Sequence, residues 1–131
     1  MTRTSQKNAS LDVLYGNMRI RRVEADPLAG TLIVRAVCVE GEEQTALYQD
    51  VLYSQLDPNA EGKRIAIVVE LTPDELRGGK HQSPAARFQR DCELDNMDAV
   101  EEMSRRGYRL FLHFVGQSDE FLVVAKGLRV T

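Results

Sequence analysis

The chain has 131 residues, 43% apolar and 28% charged, a mixture that suits one globular unit with a continuous core and leaves little room for a second. A formal net charge of −3 excludes a global attraction to phosphate backbones or anionic membranes, and no run approaches the ~18 apolar residues needed to cross a bilayer. Two cysteines, Cys38 and Cys92, are too few for a disulfide scaffold and read as reduced packing residues.

Residues 1–10 are Thr, Ser, Gln, Lys and Asn with hardly an apolar side chain, which predicts a flexible N-terminal tail followed by a single domain over 11–131. The N-terminus lacks the charged, apolar and small-residue order of a secretory signal, so a cytoplasmic location without membrane contact is expected.

In residues 11–26, Met18 and Ile20 alternate with Arg19 and Arg21, the pattern of a half-buried strand with a basic outer face. Asp26-Pro27-Leu28-Ala29-Gly30 has turn chemistry, and residues 31–40 resume as a β-branched strand that forms a hairpin with the first. There Leu32, Val34, Ala36 and Cys38 line one face, and Arg35 shares the other with Ile33, Val37 and Val39. Residues 44–56 fit a helical stripe nearly as well as a third strand, with a slight preference for a strand that becomes irregular. Residues 57–62 read as an exposed loop, and 64–71 as a buried central strand because its apolar run is continuous.

Helix-start signals follow at Thr72-Pro73, at Ser83-Pro84 and at residues 95–98. The last opens the clearest helix, over 95–106, with Met97, Val100 and Met103 on one stripe and Gly107 beyond its end. Residues 108–115 and 120–126 read as strands joined by a turn at 116–119, and Leu128 and Val130 should pair or pack. The strands at 64–71 and 108–115 could flank a right-handed crossover if they lie parallel. Together these elements predict an α+β fold in a single domain. It is a mainly antiparallel sheet of about five or six strands, with one well-defined helix at 95–106 and shorter helical turns packed on one face.

The most suggestive chemistry lies in Arg77, Gly78, Gly79, Lys80 and His81, continued by Arg87 and Arg90. Paired glycines, a helix start at Ser83-Pro84 and nearby cations suit an anion, although no phosphate-loop spacing is present. A second basic face gathers Arg19, Arg21, Arg22 and Arg35, a pattern that equally suits a charged guard on an edge strand. The acids Asp91, Glu93, Asp95, Asp98, Glu101 and Glu102 lack calcium-loop spacing and read as a solvated helix face. His113 shares a strand face with Phe111 and Val115 and reads as a satisfied, partly buried imidazole; neither it nor His81 has a recognisable catalytic partner. No zinc spacing, nucleophile elbow or dinucleotide fingerprint occurs, so no metal or cofactor is expected, and no enzymatic activity.

The expected function is therefore that of a non-catalytic binding or adaptor protein, acting through a protein–protein surface and self-associating as a homo-oligomer, with residues 77–90 and the helix beside them as its interface. The alternative is a receptor for a phosphate-bearing small molecule or nucleotide on the same loop. Nucleic-acid binding through the Arg19, Arg21 and Arg35 face is disfavoured by the acidic balance.

Overall fold

The computed structural model describes residues 15–73 and 97–131. Its described elements are strands β1 (Met18–Asp26), β2 (Thr31–Val37), β3 (Glu43–Gln49), β4 (Tyr53–Ser54), β5 (Arg64–Leu71), β6 (Arg109–Val115), β7 (Asp119–Ala125) and β8 (Gly127–Val130), with a 3-10 turn at Pro58–Ala60 and one helix, α1 (Met97–Arg105). All eight strands belong to one sheet, ordered β4-β7-β6-β5-β1-β2-β3-β8, and every pairing is antiparallel.

The two ends of that order meet. β3 pairs with β8 from Ala46↔Val130 to Gln49↔Gly127, and β4 pairs with β7 from Tyr53↔Val124 to Ser54↔Val123, one register step later in the same ladder. The bonds Lys126 N–H to Gln49 O (3.0 Å) and Leu52 N–H to Val124 O (2.8 Å) bridge the step, so the sheet closes on itself as a barrel.

This corrects the expected α+β fold of five or six strands. Asp50, at φ 54°, breaks the segment read as one irregular strand into β3 and β4, and the chain from 119 to 130 divides into β7 and β8. α1 has only nine residues, and the 3-10 turn tucks Ala60 into the barrel core. Neither builds a helical layer on one face. The conditional crossover is also excluded, because β5 and β6 are antiparallel neighbours. Nor is β5 buried on both sides: a bulge between Ile65 and Ile67 turns Ala66 and Ile67 outward, leaving Ile67 38% exposed.

Strand alternation fills the barrel. Ile20, Leu32, Val34, Ala36, Ala46, Ile65, Val68, Phe111, Val115 and Val123 point inward and are buried in one cluster. A second cluster lies outside β6 and β7, where Leu110, Leu112, Leu122 and Val124 are covered with Met103 of α1. Val100 of α1 is buried as well, so two residues of the stripe read from the sequence are covered, Met103 among them in this cluster. β6 is thereby apolar on both faces, which is why its sequence shows a nearly continuous apolar run.

The segment ahead of β1 is fixed by a close approach. Asn17 N–H donates to Ala66 O at 3.0 Å, and a Cβ on Gly16 would stand 2.5 Å from that same oxygen. Gly16→Ala should therefore destabilise the protein by about 2 kcal/mol, since the obstacle is backbone and cannot swing aside. Urea unfolding of the variant measures it; an unchanged midpoint would mean that residues 15–17 do not lie against the β5 bulge.

Candidate functional site

Two polar constellations stand out, one inside the barrel and one on its outer wall. The inner one joins Tyr15, Tyr48 and His113. The Tyr15 and Tyr48 hydroxyls are 2.7 Å apart, His113 Nε2 lies 3.0 Å from the Tyr15 hydroxyl, and Nε2 is also hydrogen-bonded to the Tyr48 hydroxyl. His113 Nδ1 is 3.1 Å from Phe121 O, a carbonyl that can only accept. Nδ1 therefore carries the proton, leaving Nε2 as an acceptor for one tyrosine hydroxyl while the other hydroxyl donates to its neighbour.

Burial sets the charge of this group. Desolvation pulls the His113 pKa from 6.5 down to about 4, against the opposing bonds to the Phe121 and Phe111 carbonyls, so the imidazole is neutral at pH 7. The same burial pushes both tyrosines above their ordinary value of 10, with Tyr15 raising Tyr48 further. His113 and Tyr48 are wholly buried. A network closed to solvent can fix side chains in place but offers a substrate no atom to meet. His113 is thus satisfied, as expected from its strand phase, but wholly rather than partly buried, and its partners Tyr15 and Tyr48 are what the sequence reading missed. The signal available was that a buried tyrosine must find a partner for its hydroxyl.

The outer constellation surrounds a half-open hollow of about 600 Å³ lined by Asn17, Arg19, Arg21, Arg64 and the apolar edge Val37, Cys38 and Val39. Arg19 and Arg64 are in-register neighbours across β1 and β5. The register between β1 and β2 slips between Ile20 and Arg22, and both Arg21 and Arg22 are exposed. That is the effect of a bulge, in which two successive residues share one side of the sheet. Arg19 Nη1 donates to Gly62 O at 2.9 Å, and Arg64 Nη2 donates to Asn17 Oδ1. Each guanidinium carries five N–H donors, so most remain open to a ligand.

None of the described lining residues is acidic. Glu24 is taken by Arg22 at 2.9 Å, and Glu40 accepts from Cys38 Sγ at 3.3 Å. Glu43 stands opposite Val37 on β3, so an apolar residue separates it from the arginines. The Arg21 and Arg35 side chains have no hydrogen-bond or ion-pair partner among the described residues.

No family model, curated protein or solved structure matches the chain. Any reading of its function therefore rests on its own chemistry. Of the residues singled out in the sequence, Arg19 and Arg21 line the hollow. Arg35 is the next outward position along β2 after Val37 and stands opposite Arg22, just beyond the rim. Arg77, Gly78, Gly79, Lys80, His81, Arg87 and Arg90 lie outside the described residues, as do Cys92 and the acids from Asp91 to Asp95. Arg64 and Asn17 were missed. Among the described residues no three His, Cys, Asp or Glu side chains gather as a metal site, and no helix is long and apolar enough to cross a membrane.

Proposed function

We propose that this protein is a non-catalytic binding protein that takes a small phosphate-bearing anion in the outer hollow, with Arg19 and Arg64 as its clamp. The observation that carries this reading is the in-register pair itself. Like charges directly opposite one another weaken a sheet, and an anion between them reverses the sign of the interaction. Guanidiniums suit phosphate because their planar fork donates two parallel hydrogen bonds. A volume of about 600 Å³ falls within the ~300–1,000 Å³ usual for small-molecule sites, and Val37 and Val39 offer an apolar wall for the rest of the ligand.

Calorimetric titration with adenosine 5′-monophosphate should give saturable binding that weakens as salt rises. Arg19→Gln and Arg64→Gln should each reduce affinity about tenfold or more, the weight of a hydrogen bond to a charged group. Stability of the free chain should stay within about 0.5 kcal/mol of wild type, as expected of exposed positions. Wild-type affinity retained in both variants would refute the clamp.

A further inference from the structure

The basic surface does not stop at the rim of the hollow. Past the Arg19–Arg64 pair, the bulge in β1 presents Arg21 and Arg22 together against Arg35 of β2. Arg22 is occupied by Glu24. Arg21 and Arg35 have no partner among the described residues, and Arg35 is half-buried. With its stem packed along the strand and no acidic partner, the Arg35 guanidinium keeps its donors available to an incoming anion.

There are thus two places of unsatisfied positive charge on one outer wall. Two to three residues of β1 separate them, roughly 7–10 Å at the ~3.3 Å rise of a strand. Adjacent phosphoryl groups on one chain of anhydride bonds lie closer than this, whereas two phosphoryl groups on opposite sides of a sugar can span it. The acids nearby do not close the second place: Glu24 is committed to Arg22, and Glu43 faces Val37 rather than Arg35.

We infer that the ligand carries two separated phosphoryl groups, the first held by Arg19 and Arg64 and the second by Arg21 and Arg35. This rests on the binding reading above and goes further by naming the class of ligand, a bisphosphorylated sugar or nucleoside.

The test compares three probes on the full chain by calorimetry: adenosine 5′-monophosphate, adenosine 5′-diphosphate and adenosine 3′,5′-bisphosphate. The expected result is that the 3′,5′-bisphosphate binds at least tenfold more tightly than either of the others. Arg35→Gln should remove that advantage while leaving the monophosphate affinity unchanged, and Arg21→Gln should weaken the bisphosphate in the same sense. If the diphosphate gains as much as the bisphosphate, charge rather than separation sets affinity and the inference is overturned. It is overturned as well if Arg35→Gln weakens all three probes equally. Absence of binding by any probe would overturn the hollow as a site altogether, a failure distinct from the loss of selectivity alone. Thermal unfolding of each variant confirms that the comparison is made on folded protein.

Discussion

Acidification from pH 7 to pH 4 should remove about 3 kcal/mol of stability through His113 alone. Its folded pKa is about 4, against 6.5 for the free side chain, because the wholly buried ring loses hydration when charged. Between those values the unfolded chain binds the proton and the folded chain does not. Stability contributed by His113 is then fully present above pH 6.5 and lost as pH falls through the interval to about 4. The proton would arrive at Nε2, which accepts from a tyrosine hydroxyl, so charging also turns an acceptor into a donor facing two hydroxyls. Urea unfolding at pH 7, 5.5 and 4 measures the effect against His113→Gln, which shares every other titration. The variant should be less stable at pH 7 and lose less on acidification by about the stated amount. Parallel profiles for the two proteins would place the His113 titration outside the folding equilibrium.

The largest loss from conservative substitution is expected when both tyrosines become phenylalanine. Tyr15 and Tyr48 each reach His113 Nε2, so either hydroxyl alone can satisfy that acceptor. Tyr15→Phe or Tyr48→Phe should therefore cost only about 1 kcal/mol, the net worth of one hydrogen bond. In the double variant Nε2 is buried with no donor, and its desolvation adds about 1–3 kcal/mol to the sum of the single effects. A double-mutant cycle in urea should show coupling of that sign. Strict additivity would mean that the three side chains do not form one network. Since Tyr15 immediately precedes Gly16 and Asn17, the network also holds the residues that position Arg64, through the Asn17 side chain.

Local patterns in the sequence carry much of this architecture. Proline and glycine at 27 and 30 mark the first hairpin, whose strands pair from Asp26↔Thr31 to Arg19↔Val37. The inward phase of Leu32, Val34 and Ala36 is plain from alternation, and so is that of His113 with Phe111 and Val115. What alternation cannot show is which distant strands become neighbours. Arg64 joins Arg19 through pairing across 45 positions, and His113 meets tyrosines 65 and 98 positions away. Barrel closure depends on the same kind of contact, with the break at Asp50 hiding that β3 and β4 share one ladder with β8 and β7. The bulge that brings Arg21 and Arg22 to one side leaves no glycine or proline in β1 as a marker, so plain alternation sends one of them inward. The basic face was thus visible as composition, while the hollow beside it arises from tertiary pairing.

The most direct measurement is backbone amide NMR of the wild-type chain titrated with adenosine 5′-monophosphate. An anion clamped by Arg19 and Arg64 should shift the amides of Asn17, Arg19, Val37, Cys38, Val39 and Arg64 along one saturation curve, and leave the turn at Gly116 and Gln117 still. Shifts confined to residues 77–90, or no saturable shift at any amide, would contradict a binding site on the outer wall of the barrel.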